Sequence, residues 1–120
     1  MSTRCQIGFY EADEKDLSKH KALIYRHNDG YPDSKSGVIA TILPILQDFH
    51  KNRGLNDIEY AAAWLVAKLK TDYLNIGISS ELHGDIRYFY AIYPNRIDIY
   101  DTPRNEEYDN FKLLKSIPIT

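Results

Sequence analysis

Two short histidine–aspartate motifs contain the residues of this chain that could do chemistry. His27 and Asp29 lie in the polar segment 25–32, YRHNDGYP, and His83 and Asp85 form a second pair. In an extended chain, residues i and i+2 point to the same side, so each motif could place an imidazole beside a carboxylate. Two histidines with two carboxylates can ligate a divalent transition metal, and an imidazole oriented by a carboxylate can act as a general base.

Aromatic and basic residues beside the two motifs are candidate ligand contacts. Tyr31 and Tyr88 could supply contact area, and Arg26 or Arg87 could hold an anionic group through paired hydrogen bonds. The leading interpretation is a non-catalytic domain that binds a small ligand or a protein through a pocket of His, Asp and Tyr residues, with no cofactor.

The same residues also permit two other interpretations. One is a small hydrolase or a metal-dependent enzyme, in which four side chains are catalytic groups or ligands of a divalent metal: His27, Asp29, His83 and Asp85. The other is purely structural, because Asp29 before Gly30 is typical of a turn, and a His-x-Asp pattern is short enough to occur by chance.

The composition indicates a single globular domain over residues 1–120, with 43% hydrophobic and 27% charged residues. The net charge of −2 provides no attraction to a phosphate backbone, which disfavours a nucleic-acid partner. The single cysteine, Cys5, and the absence of an apolar run of about 20 residues predict a cytoplasmic protein without a membrane partner. The usual sequence signatures of nucleotide, dinucleotide and zinc sites are absent.

Hydrophobic periodicity predicts two helices in the middle of the chain. An apolar stripe from Ile39 to Phe49 indicates the first helix, and Pro44 requires either that the helix begins near Leu43 or that an earlier turn is kinked. The second helix is predicted from about Asp57 to Thr71, with Asn56 as its cap and Trp64 packing into the core.

Alternation with period two predicts strands on both sides of the helices, and this pattern defines the fold class. The expected fold is a two-layer α+β sandwich of order β-β-α-α-β-β-β, with two helices on one face of a mainly antiparallel sheet of about five strands. The other face would carry tyrosines and would need cover from a second layer, a pocket or a partner subunit such as a homodimer. Strands are predicted at residues 4–11, 21–27, 73–79, 86–93 and 96–101, the last three as a meander, and residues 111–119 could add a helical turn or an edge strand.

Several of these segments resemble a family of small proteins from archaea, bacteria and their phages. The resembling motifs are YRHxDGYP at residues 25–32, AAAWL at 61–65 and HGDIxYxY at 83–90, together with the first four residues, MSTR. The resemblance covers most of the chain and implies a compact intracellular domain from a viral or mobile-element setting. A role in modulating host defence follows only from this resemblance, which implies no particular chemistry.

Overall fold

The computed structural model describes residues 3–33, 35–53, 57–70, 75–102 and 107–119. Within these ranges, two strands precede two helices, and four further strands follow. The elements are β1 (Cys5–Phe9), β2 (Ala22–Arg26), α1 (Val38–Asn52), α2 (Ile58–Leu69), β3 (Ile76–Ile78), β4 (Tyr88–Ile92), β5 (Arg96–Asp101) and β6 (Lys112–Pro118).

The described strands form one mixed sheet in the order β3-β2-β1-β4-β5-β6. The central pair, β1 and β4, is parallel, and the other neighbouring strands are antiparallel. The predicted α+β class with two helices is confirmed, but the sheet has six strands because the C-terminal segment forms the edge strand β6.

The predicted meander of the strands after α2 is wrong for its first member. Strand β3 pairs with β2, whereas β4 pairs with β1 on the far side, so the meander is β4-β5-β6. The connection over residues 79–87 therefore has to cross β2 and β1. Period-two patterning identifies strands but does not specify which strands become neighbours, and this explains the error.

Both helices cover one face of the sheet and enclose the main core. The fully buried strand residues Cys5, Ile7 and Phe9 pack in this core with Ile42 and Leu46 of α1. Burial raises the pKa of the Cys5 thiol to about 12, because a thiolate would lose its hydration there.

Helix α1 begins earlier than one of the two predicted alternatives. It starts at Val38, so a start near Leu43 is wrong and Pro44 lies inside the helix. The Val38 N–H donates to the carbonyl of Tyr31, 2.8 Å away, and this contact with the preceding turn satisfies an amide that has no partner inside the helix. For α2, the predicted cap Asn56 and the predicted end Thr71 lie outside the described residues.

The opposite face of the sheet is covered by the chain itself. Tyr10, Phe89 and Tyr93 form a second core there, and loop residues close it from outside. The closing side chains are Leu17, Leu82, Tyr108 and Phe111. Of the three kinds of cover expected from the sequence, the structure shows a second layer, and this layer is made of loops.

Tyrosine hydroxyls fasten loops to the strands on both faces. Tyr10 donates to the carbonyl of Leu17 at 2.7 Å, and Tyr90 donates to the carbonyl of Gly30 at 2.7 Å. The ring of Tyr10 folds back over Gly8, where a Cβ added to the glycine would lie 2.6 Å from the tyrosine oxygen. Burial raises the pKa of both Tyr10 and Tyr90, so their hydroxyls stay protonated as donors.

Among the described helices, none has the length and apolar character needed to span a bilayer.

Candidate functional site

The crossing loop between β3 and β4 brings His83 to the strand that precedes His27. The ring of His83 lies 4.9 Å, centroid to centroid, from the ring of Tyr25 in β2. The hydroxyl of the same tyrosine lies 2.9 Å from Nδ1 of His27. The two predicted histidines thus share one tyrosine at one end of the sheet, with β1 between β2 and β4.

A buried glutamine holds the segment that carries His83. Gln6 of β1 is fully buried, and its Nε2 donates to the carbonyl of Glu81 at 3.1 Å. Its Oε1 accepts from the His83 N–H at 2.8 Å, so both ends of the amide are used. Gln6 was not among the predicted site residues, although a glutamine inside the apolar strand CQIGF is unusual and could have indicated its role.

Asn75 holds the segment that carries His27 in a similar way. Its carbonyl accepts from the His27 N–H at 2.8 Å, and its side-chain oxygen accepts from the Asn28 N–H at 2.9 Å. The backbone on which each imidazole stands is therefore fixed by hydrogen bonds to another part of the chain.

The Tyr25 hydroxyl occupies one nitrogen of the His27 ring. Burial, and then the negative charge of Asp85, raise the pKa of Tyr25, so its hydroxyl stays protonated. A protonated hydroxyl can donate to Nδ1 or accept from it, according to the tautomer of the ring. In either tautomer, Nε2 of His27 is the ring nitrogen that the Tyr25 hydroxyl leaves over.

Asp85 belongs mainly to an ion pair with Arg4. The Nη1 atom of Arg4 lies 3.0 Å from the carboxylate, whereas Nδ1 of His83 lies 4.0 Å from it, beyond hydrogen-bonding distance. The side chains of Arg4, His83 and Asp85 are 39%, 43% and 54% exposed, so all three are accessible. We call Tyr25, His27, His83, Asp85 and Arg4 the Tyr25 cluster.

Asp29 makes its described contacts with the turn and not with His27. Its carboxylate accepts from the hydroxyl of Tyr31 at 3.0 Å, and that hydroxyl also lies 2.7 Å from Oγ of Ser36. The backbone of Asp29 has φ of 58°, a left-handed conformation that aspartate tolerates better than most residues. Asp29 and Tyr31 therefore form a turn structure next to the Tyr25 cluster.

The predicted anion-holding arginines have partners inside the protein. Arg26 is 6% exposed and donates to the carbonyls of Asn28 and Ser36, at 3.0 and 3.4 Å. Arg87 lies 2.7 Å from Asp101 and stacks over Tyr88 at 5.5 Å.

Tyr88 itself packs against the core on the helix side of the sheet. That face is opposite to the one carrying Tyr25, because Tyr25 packs against the second core.

The proposed metal ligands are not gathered around one point. In the part of the chain that the structure describes, no three side chains of His, Cys, Asp or Glu are close enough together to hold a metal ion. The histidines of the two His-x-Asp pairs thus meet through Tyr25 and not through shared coordination.

Comparison with known proteins found no relative of this chain. No protein-family model, no curated protein and no solved structure matches the chain. The resemblance to the archaeal, bacterial and phage family stays a prediction.

Proposed function

We propose that this protein is a non-catalytic cytoplasmic domain that binds a polar ligand through the Tyr25 cluster. The observation that carries the proposal is the shared contact of His27 and His83 with the ring and hydroxyl of Tyr25. Side chains that are held in place before binding lose little conformational freedom when a ligand arrives. The hydrogen bonds to Gln6 and Asn75 hold the backbone at His83 and His27, and the contacts with Tyr25 hold the two imidazoles.

The chemistry of the cluster favours a ligand with oxygen acceptors. Arg4 offers the guanidinium N–H groups that its bond to Asp85 leaves over, and His27 has its Nε2 left over from the contact with Tyr25. Asp85 can accept from a donor on the same ligand, since its carboxylate has more than one acceptor position. A small molecule or a peptide terminus with a carboxylate or phosphate group meets these requirements.

The same geometry supports binding better than acid–base catalysis by the histidines. A small hydrolase would need an imidazole that is oriented as a base, for example by a neighbouring carboxylate. Asp29 contacts Tyr31, and Asp85 lies 4.0 Å from Nδ1 of His83, so in the described residues neither His-x-Asp pair forms that imidazole–carboxylate hydrogen bond.

The test is an NMR titration that follows all four histidine side chains in one sample. Acetate and inorganic phosphate serve as probes, and His20 and His50 are internal controls outside the cluster. We expect saturable shifts of the His27 and His83 imidazoles that the controls do not share. Tyr25→Phe keeps the ring but removes the bond to His27, so it should weaken the His27 response more than the His83 response. Equal shifts at all four histidines, or none, would contradict the proposal.

A second measurement addresses the metal-dependent alternative. Elemental analysis compares untagged wild-type protein with the His27→Ala, His83→Ala double variant, both purified without chelator. Stoichiometric zinc or another divalent metal in the wild type that is lost in the double variant would replace the binding proposal by a metalloprotein.

A further inference from the structure

Helix α2 is apolar on two sides, although the sheet covers only one of them. Its inner side, with Ile58, Ala61, Ala62 and Leu65, is buried in the main core. Of its 12 residues, only Glu59 and Lys68 are charged. A helix that is apolar all round is normally buried all round, so the outer side of α2 needs an explanation.

The outer side of α2 forms one wall of a groove between the two helices. The groove has a volume of about 530 Å³, and Phe49 and Asn52 of α1 line its other wall. From α2, the groove is lined by Tyr60, Ala63, Trp64 and Ala67. These four positions follow the spacing i, i+3, i+4 and i+7, which marks one continuous stripe along a helix.

The two aromatic residues of this stripe are exposed to solvent. Tyr60 is 56% exposed and Trp64 is 39% exposed, so the expectation that Trp64 packs into the core is wrong. Each ring is approached by a cation of the same chain: the guanidinium of Arg53 lies 4.1 Å from the centroid of Tyr60, and the amine of Lys68 lies 4.8 Å from that of Trp64. These contacts leave much of each ring accessible.

We propose that a second copy of this chain covers the groove, through antiparallel packing of α2 against α2 about a two-fold axis between residues 63 and 64. Such an axis places Tyr60 opposite Ala67 of the partner subunit and Trp64 opposite Ala63 of the partner subunit. Each large ring then faces a methyl group. The two-fold axis thus places a large residue opposite a small one along the whole stripe. The stripe is therefore complementary to itself, as an isologous interface requires.

The charges beside the stripe agree with the same axis. It places Glu59 opposite Lys68 of the partner subunit, and the two-fold repeats this pair on the other side. A parallel arrangement would instead place like charges together. Antiparallel packing also aligns the two helix dipoles favourably. The occupant that both the shape and the charge pattern of this face fit is thus α2 of another copy.

The interface is small, which sets the expected affinity. A helix of 12 residues is about 18 Å long, so most of the contact comes from one helix and the adjoining wall of α1. Such an area is typical of weak association, and we expect a dissociation constant in the micromolar range.

The experiment is a charge-exchange series followed by sedimentation equilibrium. Glu59→Lys and Lys68→Glu each place two repulsive pairs in the dimer, and each should weaken association at least about tenfold. The double exchange restores both attractive pairs and should return the dissociation constant to within about threefold of the wild type. Lys19→Glu, on the exposed loop before β2, is the matched control and should leave association unchanged.

Tryptophan fluorescence gives a second measurement of the same contact. Trp64 is the only tryptophan of the sequence, so all indole emission reports on this face. Emission should shift to shorter wavelength, and iodide quenching should fall, over the concentration range in which sedimentation detects the dimer. A wild-type protein that stays monomeric into the hundreds of micromolar, or a dimer that neither exchange affects, would overturn the proposal. The groove is on the helix side of the sheet, so neither outcome bears on ligand binding by the Tyr25 cluster.

Discussion

Replacing Gly8 by alanine should destabilise the protein through a buried steric conflict. The added Cβ would lie 2.6 Å from the hydroxyl oxygen of Tyr10 and 2.8 and 2.9 Å from two ring carbons. Tyr10 is fully buried and its ring is stacked on Tyr93 with centroids 5.5 Å apart, so the ring has little room to move. Relief requires a shift of about 1 Å, which would also stretch the bond from Tyr10 to Leu17.

The expected cost is the combination of overpacking and a weakened hydrogen bond. Overpacking of a core typically costs about 1–3 kcal/mol, and the hydrogen bond contributes about 1 kcal/mol. Gly8→Ala should therefore lower the free energy of unfolding by about 3 kcal/mol, or the melting temperature by about 10 °C. Urea unfolding measures the first quantity and calorimetry measures the second.

Gly77→Ala is the matched control, because a Cβ at Gly77 would meet nothing within 4 Å. Gly77 is also in a strand, where alanine loses less backbone entropy on folding than glycine, so this variant should be neutral or more stable by about 0.5 kcal/mol. Tyr10→Phe removes the nearest clashing atom, so the double variant with Gly8→Ala should be more stable than two additive effects predict. A cost for Gly8→Ala below about 1 kcal/mol, or strict additivity, would refute this reasoning.

Three further predictions test contacts described above. Gln6→Ala should lower the free energy of unfolding by about 1–3 kcal/mol and speed amide hydrogen exchange at His83, because the His83 N–H loses its buried acceptor; unchanged exchange at His83 would contradict this. Tyr90→Phe should cost about 1–2 kcal/mol, since the carbonyl of Gly30 loses its donor, whereas Tyr60→Phe on the exposed side of α2 should cost almost nothing; equal costs would be inconsistent with the structure. Stability should also decline in alkali. Folding raises the pKa of Cys5 from 9.0 to about 12 and that of Tyr100 from 10.0 to about 12. The stabilisation that these two groups contribute is therefore complete below about pH 9 and is lost as the pH rises towards 12. Urea unfolding between pH 8 and pH 11 measures the free energy of unfolding, and an increase over that range would contradict this prediction.

Much of the fold could be predicted from local patterns, because period and turn chemistry are local properties. The inner stripe of α2 and the strand around Tyr90 follow directly from hydrophobic spacing. The parallel pairing of β1 with β4 could not be predicted this way, since it depends on where the loop 79–87 crosses the sheet. The start of α1 at Val38 also depends on a contact with the Tyr31 carbonyl that no helix signal encodes.

The candidate site could be predicted in part for the same reason. His27 and His83 both contact Tyr25 at one end of the sheet, although β1 separates β2, which precedes His27, from β4, which follows His83. Their connecting residue, Tyr25, begins the segment 25–32 but was not predicted as a site residue, because nothing in the sequence indicates that it contacts both histidines. Asp29 departs from the expected geometry because the positive φ at this residue turns the chain, so the i, i+2 rule for extended segments does not apply there.

The burial of Cys5 gives this protein a built-in reporter of its own opening. The thiol is the only one in the sequence, lies in a central strand with no solvent exposure and has a pKa raised to about 12. Alkylating reagents attack the thiolate, so the native protein should resist them at neutral pH. Each labelling event then requires that β1 separate from its neighbours, and the labelling rate, read by mass spectrometry, would measure how often the centre of the sheet opens under native conditions. No label has to be engineered for this, and the same measurement applies to every variant proposed above.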